Sequence, residues 1–462
     1  MIASVGRFKD MFILKEEERV KSLRKILVFL LLAALVFPVN GFELSSVKEA
    51  LRSDYEYLRD MAEQVSGDGS ASLRAVALHG IFAASIHMGL GDAESLNLLN
   101  KIAEQANTRV LRGDGVDIGF TGKMPAAENF LTHLQTEYFA ALHYGLTRSQ
   151  RSKETLNILG DSLEKFLGWT PVYSRAAMLV TANWVSMMTG GAVNREETQY
   201  AVNSYAEHFH DIVAFSTQNE GQLIQSLSAL SHLLSVAHEA SVEVPDELAA
   251  LWIVHIEYVG NFTVVKNPGQ DFELASRALL ALVEAAETRR GRYASMALDV
   301  AMNLSRRMED FYSVGDRLLM VETRLSELRL YDPAATAEQV FTAAQQKTSA
   351  INIIYPTALA RLRKLTPMQS NSLEVAVTKL STAKGYYPLF ESGAALSEEY
   401  VNRFLRSSLF STILVLERKP AAEVRNLALE RFVSSSPVST AVLLVLVLFA
   451  LLNRVGVLYK RG

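Results

Sequence analysis

A helical period dominates residues 42–432, and it limits the fold more than any other feature of the sequence. Apolar residues recur there about every 3.6 positions, whereas runs that alternate in the strand pattern are nearly absent. The clearest interval is 272–312, where one apolar stripe is followed by a polar turn at 289–292 and then by a second stripe. Two such stripes joined by a short turn predict an antiparallel helical hairpin of about forty residues.

The same plan recurs nearer the start of the chain. Residues 73–110 carry two apolar stripes around a glycine-containing turn at 89–92, and residues 139–166 do so around a polar turn at 147–152. Because a lone hairpin leaves an apolar face uncovered, hairpins of this kind must stack on one another. The sequence therefore predicts an all-α fold of repeated antiparallel hairpins, and it leaves an α/α toroid and an α-solenoid both open.

Helix-breaking residues divide this helical region in two. Residues 42–330 form the regular hairpin array, and residues 331–433 form a less regular helical continuation with breaks at Pro356 and Pro367. A final amphipathic helix is predicted from Leu396 to Leu416. Small residues recur where neighbouring helices are expected to cross closely.

Several helices have recognisable start signals. Thr170-Pro171 precedes a predicted helix at 173–188, and Asn194 with Glu197 three residues later resembles a capping box. Pro245 stands at the start of another helix. These signals place the hairpin turns independently of the apolar period.

One of the hairpins resembles those of a known protein family. The segment Tyr293-Ala294-Ser295-Met296-Ala297, followed by Phe311-Tyr312 and a polar turn at Gly315-Asp316, resembles a hairpin of the six-hairpin α/α-toroid proteins. That group includes glycan-processing hydrolases, lyases and epimerases. The resemblance covers one hairpin, and it implies a toroid fold with glycans as the substrate class.

The C-terminal end of the chain predicts a membrane anchor. Residues 438–452 are uncharged, and a helix of that length covers about 22 Å, so that continuing it to Tyr459 reaches the thickness of a bilayer core of about 30 Å. We therefore predict a transmembrane helix at 437–459 and a basic cytoplasmic tail at 460–462. The competing interpretation is a buried C-terminal helix of a soluble domain.

The N-terminal end predicts export. Four basic residues between Arg19 and Lys25 precede an apolar run at 26–37, which is too short to span and ends at Pro38. These are the parts of a secretory signal peptide occupying residues 1–41, with an uncleaved anchor as the alternative. Either arrangement places the main domain outside the cytoplasm of a single-pass membrane protein.

Composition excludes several function classes. The 46 Lys and Arg against 50 Asp and Glu give a net charge of −4, so the chain has no basic excess for nucleic acid. The absence of cysteine excludes a disulfide framework, a cysteine-ligated zinc site and an iron–sulfur cluster. No phosphate-binding glycine motif and no metal-ligand histidine spacing occurs, so we expect no nucleotide, no cofactor and no metal.

Acidic residues in an irregular stretch are the first candidates for chemistry. The resemblance to toroid glycosidases implies paired carboxylates on loops at one end of the barrel. The longest irregular stretch, 111–124, contains Asp114 and Asp117, and Glu128 follows it. These three residues are the candidate catalytic acids, and the competing interpretation is an ordinary interhelical connection.

Two other acidic segments and a set of aromatic residues are further candidates. The segment 207–211, Glu-His-Phe-His-Asp, is predicted to be helical, and its two histidines point too far apart to share a metal. Glu207 and Asp211, four residues apart, could face a common site, and the competing interpretation is a solvated helix face with one histidine buried. Asp271 is placed to cap the helix that follows it. Trp169, Tyr173 and Trp184 have the side chains that stack on sugars, although helix packing explains them equally.

Two functional hypotheses follow. The first is a membrane-anchored extracytoplasmic helical-repeat protein that binds a protein partner or a surface polymer. The second is a membrane-tethered α/α-toroid enzyme that acts on glycans. The sequence leaves open whether the chain is an enzyme.

Overall fold

The computed structural model describes residues 44–68, 72–114, 116, 127–288, 290–313, 353–366, 371–382, 390–391, 394–395 and 398–418. The chain divides into two compact units after Ser46, and the packing described below belongs to the second unit. The predicted signal peptide at 1–41, the predicted transmembrane helix at 437–459 and the tail at 460–462 lie outside the described residues.

The described residues form sixteen helices and one short β-hairpin, which confirms the all-α prediction. The first eight helices are α1 Leu44–Asp68, α2 Leu73–Leu90, α3 Ala93–Arg112, α4 Ala127–Thr147, α5 Gln150–Leu167, α6 Arg175–Met188, α7 Arg195–Glu207 and α8 Phe209–Ser216. The others are α9 Glu220–Glu239, α10 Asp246–Asn261, α11 Thr263–Lys266, α12 Phe272–Glu287, α13 Gly291–Ser313, α14 Tyr355–Leu365, α15 Asn371–Thr382 and α16 Glu398–Arg418. Strands β1 Phe390–Glu391 and β2 Ala394–Ala395 pair antiparallel.

The three hairpins predicted from periodicity are confirmed as α12–α13, α2–α3 and α4–α5. The α2–α3 turn shows why the sequence marks it so clearly. Gly91 adopts the left-handed conformation at φ 67°, and its N–H donates to the carbonyl of His87 to close α2. Asp92 then caps α3 by accepting from the N–H of Ser95. A glycine followed by an aspartate thus ends one helix and begins the next.

The predicted start signals are confirmed in part. Asn194 caps α7 by accepting from the N–H of Glu197 at 3.1 Å, as the capping box requires. The side chain of Glu197 does not return to Asn194, because it bonds instead with Lys153 and with Asn183. Ser174 accepts from the N–H of Ala177, so α6 begins two residues later than predicted.

One series of helices packs side by side along the second unit. In that series α2 contacts α4, α4 contacts α6, α6 contacts α9, α9 contacts α12, α12 contacts α14, α14 contacts α16, and α16 contacts α2. The intervening helices pack on these as hairpin partners: α3 on α2, α5 on α4, α7 on α6, α10 on α9, α13 on α12 and α15 on α14. Each hairpin therefore covers its apolar face with the neighbouring hairpins.

Glycines permit the closest crossings in this series. A Cβ atom at Gly80 of α2 would lie 2.2 Å from the ring of Phe139 on α4, and one at Gly145 of α4 would lie 2.4 Å from the carbonyl oxygen of Ala182 on α6. The expectation that small residues mark close helix crossings is confirmed at these positions.

A buried polar cluster joins α16 to the beginning of the second unit. Asp54 of α1 is fully buried, and it accepts from Nε of Arg406 at 3.0 Å and from the hydroxyl of Ser407 at 2.7 Å. Arg418 donates to the carbonyl of Met88 at the end of α2. These contacts fix α16 against helices that precede it by more than 300 residues.

Among the described residues, α2 alone has the length and apolarity needed to cross a membrane, and 56% of its most apolar window is buried inside the packed helices. The predicted C-terminal span is a different segment and lies outside the described part of the chain.

Candidate functional site

A cavity of about 490 Å³ lies between α4, α6 and α9. The segment 171–173 before α6 and Tyr205 near the end of α7 complete its wall. A cavity of this volume is within the range of small-molecule sites in proteins. The residues that line it are Leu131, Leu134, Gln135, Tyr138, Pro171, Val172, Tyr173, Ala177, Met178, Val180, Thr181, Tyr205, Gln225, Ser228, Ala229 and His232.

Tyrosine and aliphatic side chains form most of the cavity wall. Tyr138 exposes 40% of its surface although its neighbours are packed, which is the behaviour of a side chain facing an open space. Tyr205 donates to the carbonyl of Pro171 at 2.7 Å, and the ring of Trp169 meets it edge-on at 5.1 Å. These contacts hold the segment that carries Tyr173, whose pKa is raised by burial.

Polar groups collect on two helices of the wall. Gln135 of α4 accepts from Nε of Arg74 at 3.2 Å, which orients its amide. Gln225, Ser228 and His232 share one side of α9 because they are spaced three and four residues apart. The cavity therefore combines an apolar, aromatic wall with two amides, a hydroxyl and an imidazole.

A buried charge cluster stands directly behind Ser228 and His232. The hydroxyl of Ser228 donates to Glu284 of α12, and Nε2 of His232 lies 3.2 Å from the same carboxylate. Arg361 of α14 donates from Nη1 to Glu284 at 2.7 Å and from Nε to Glu287 at 3.0 Å. Because Glu284 and Glu287 are three residues apart on α12, one guanidinium reaches both carboxylates.

An indole ring covers this cluster. The ring of His232 packs on that of Trp184 with centroids 4.4 Å apart, and the guanidinium carbon of Arg361 lies 5.2 Å from the same indole. Trp184 thus stabilises the guanidinium through its π-face and packs against the imidazole. The imidazole is held between the indole on α6 and the carboxylate on α12.

The charges within the cluster determine the protonation states of Glu284 and Arg361. Burial alone would raise the pKa of Glu284, but the charges of His232 and Arg361 and a hydrogen bond from Ser228 lower it to about 2. Burial lowers the pKa of Arg361, but the charges of Glu287 and Glu284 outweigh burial and raise the pKa of the guanidinium above its usual value. Glu284 is therefore a carboxylate at neutral pH, and it acts only as a hydrogen-bond acceptor.

Of the three candidate acids, Asp114 is not among the residues that line the cavity. Asp114 is exposed just beyond the end of α3, where its N–H donates to the carbonyl of Arg109 at 2.8 Å. Asp117 lies outside the described residues. Glu128 belongs to the first turn of α4, one turn before Leu131 of the cavity wall.

The segment 207–211 differs from its prediction. The helix is not continuous there, since α7 ends at Glu207 and α8 begins at Phe209. His208 stacks on Trp169 with centroids 4.8 Å apart and planes 7° from parallel. Asp271 caps α12 by accepting from the N–H of Leu274, as predicted.

Sequence reasoning missed His232, Glu284 and Arg361. Tyr173, one of the aromatic residues that the sequence offers for stacking on sugars, does line the cavity. One signal for the cluster was present in the sequence: Glu284 interrupts a long apolar run from Ala278 to Ala286. A carboxylate in a buried stripe requires a partner, and the partner is Arg361, 77 residues later.

Comparison with known proteins gives no relative, since no family model, curated protein or solved structure matches the chain. Within the described ranges, no group of three or more His, Asp or Glu side chains is placed to hold a metal ion.

Proposed function

We propose that this chain is a membrane-anchored, extracytoplasmic glycan-binding protein whose helical body is an α/α toroid. The order of helix contacts supports the toroid, because α2, α4, α6, α9, α12, α14 and α16 each contact the next and α16 contacts α2. An open solenoid has no reason to bring its last repeat against its first.

The observation that carries the binding proposal is the composition of the cavity wall. Sugars present flat C–H faces that pack on aromatic rings, and hydroxyl rims that need hydrogen-bonding groups. Tyr138 and Tyr173 supply rings, whereas Gln135, Gln225 and Ser228 supply amide and hydroxyl groups in the same cavity. This pairing of an apolar wall with a few convergent polar groups is typical of ligand sites.

Calorimetric titration of the full chain in detergent tests the proposal. The probes are soluble oligomers of glucose, N-acetylglucosamine and uronic acids. We expect one class to bind, and Tyr138→Ala to weaken that binding about tenfold through the loss of one stacking surface. The matched control is Tyr258→Ala on α10, which removes a tyrosine that is 60% exposed and outside the cavity. Equal losses in both variants, or no binding of any class, would refute the proposal.

The placement outside the cytoplasm rests on the two apolar ends of the sequence, at 26–37 and 437–459. We expect the full chain to sediment with membranes, and a chain lacking 437–462 to be released into the soluble extracytoplasmic fraction. Recovery of the shortened chain from the cytoplasm would contradict this placement.

An enzyme acting on glycans is the second candidate. The observation that favours it is the position of Glu128, one turn before Leu131 of the cavity wall. The assay is release of reducing ends from whichever oligomer binds. We expect Glu128→Gln to abolish any such release and Asp114→Asn, at the exposed end of α3, to leave it unchanged. Binding without turnover by the unaltered chain would leave only the binding function.

A further inference from the structure

The two ring nitrogens of His232 have different surroundings. Nε2 is buried and lies 3.2 Å from an oxygen of Glu284, which is an ion-pair distance without the alignment of a hydrogen bond. The side chain as a whole is 20% exposed and lines the cavity, so the open side of the ring is the side that carries Nδ1. Among the described residues, no protein group is hydrogen-bonded to Nδ1.

The carboxylate determines which nitrogen carries the proton. Glu284 is ionised, and its negative charge favours a proton on Nε2, because that is the ring nitrogen closest to the carboxylate. Arg361 and Ser228 donate to the same carboxylate and hold it in place against the ring. A neutral His232 then has a lone pair on Nδ1, directed toward the cavity. An imidazole oriented by a buried carboxylate in this way is a prepared hydrogen-bond acceptor.

We infer that His232 is a ligand-binding residue whose Nδ1 accepts a hydrogen bond from a hydroxyl group of the bound molecule, with Glu284 as its positioning residue. This inference rests on the proposed function, and it narrows the ligand to one that presents a hydroxyl donor beside the tyrosine wall.

The tautomer is measured without any ligand. Nitrogen NMR of the full chain, labelled with ¹⁵N in histidine only, is recorded in detergent micelles at pH 8, and the His232 signals are assigned by their loss in His232→Asn. We expect the neutral ring to carry its proton on Nε2, and Glu284→Gln to shift the population toward the other tautomer. A ring protonated on Nδ1, or unchanged by Glu284→Gln, would overturn the inference.

Binding supplies the second arm of the test. His232→Asn keeps an acceptor near the position of Nδ1, so we expect its affinity for the oligosaccharide to stay within about threefold of wild type. His232→Leu has no acceptor, and we expect it to lower the affinity about tenfold. The control is His238→Asn, which changes an exposed histidine on the same helix and should keep the wild-type affinity. Equal affinities of His232→Leu and wild type would refute the acceptor role.

The two proposals fail in distinguishable ways. If no oligosaccharide binds, the glycan function is wrong, and diethyl pyrocarbonate then probes His232 directly. A neutral nitrogen open to the cavity should be carbethoxylated at least tenfold faster than buried His79, whose Nδ1 is bonded to Tyr400. If His232 reacts no faster than His79, the inference that Nδ1 of His232 is an acceptor open to the cavity is refuted.

Discussion

Glu137 of α4 makes the stability of this protein dependent on pH. Its side chain is fully buried, and neither carboxyl oxygen has a hydrogen-bond partner among the described residues. Burial, and then the charge of Glu164, raise the pKa of this carboxyl well above 4.5. The carboxylate of Glu164 already accepts a hydrogen bond from the N–H of Arg175 at 2.7 Å. Glu137 therefore keeps its proton in the folded protein at pH values above 4.5 where the unfolded chain has lost it.

The sign and the magnitude follow from proton linkage. Above pH 4.5 the folded state binds one more proton at Glu137 than the unfolded state does, so the free energy of unfolding falls as the pH rises. The loss is about 1.4 kcal/mol per pH unit, and it continues until the pH reaches the raised pKa of the folded state. Glu137→Gln has no proton to lose, so this contribution disappears in the variant.

Urea unfolding of the full chain in detergent, followed by tryptophan fluorescence at pH 5, 6 and 7, measures this difference. We expect Glu137→Gln to gain stability over wild type by about 1.4 kcal/mol for each pH unit. The control is Glu154→Gln on α5, an exposed glutamate, whose difference from wild type should be the same at every pH. A difference between Glu137→Gln and wild type that stays constant or shrinks as the pH rises would refute the reasoning.

Two further predictions concern packing and the charge cluster. Gly145→Ala should destabilise the protein by about 1–3 kcal/mol, because the new Cβ would lie 2.4 Å from the backbone oxygen of Ala182. The control is Gly260→Ala, where the nearest atom lies 3.5 Å from the new Cβ, and this variant should be neutral or slightly stabilised in thermal melts. Arg361→Met should cost about 3–5 kcal/mol at neutral pH by leaving Glu284 buried without its guanidinium. That loss should diminish at acid pH, since a protonated Glu284 no longer needs the cation, and equal destabilisation at pH 4 and pH 7 would contradict it.

The hairpins were predictable because their signals are local. The apolar stripes of α12 and α13 and the Gly91-Asp92 turn between α2 and α3 can be read within a few residues. The end of α7 at Glu207 could not be read in this way. No glycine or proline marks that position, and the break coincides with the stacking of His208 on Trp169, a residue 39 positions earlier in the sequence.

The site was less predictable because its parts come from distant segments. Tyr138, His232, Glu284 and Arg361 belong to four different helices, and their approach depends on how the hairpins stack. The isolated carboxylate of Glu284 in an apolar stripe indicated that a buried cation exists, but not which one. Glu197 shows the same limit, since its spacing from Asn194 predicts a capping role and its side chain serves a tertiary network instead.

Closure of the helix series is the central claim, because the proposed toroid depends on it. A Cβ atom at Gly89 of α2 would lie 3.2 Å from the Cβ of Ser411 on α16, close to the separation that a disulfide requires. The chain has no cysteine, so any disulfide in the double variant Gly89→Cys and Ser411→Cys forms from the introduced residues alone.

Oxidation of this double variant, followed by non-reducing gel electrophoresis and mass spectrometry, is the most direct measurement. The closed arrangement predicts a disulfide within one chain, at low protein concentration, and none for the control pair Val254→Cys and Ser411→Cys, whose helices α10 and α16 are not neighbours in the series. A Gly89–Ser411 variant that forms no disulfide, or only disulfides between chains, would contradict closure.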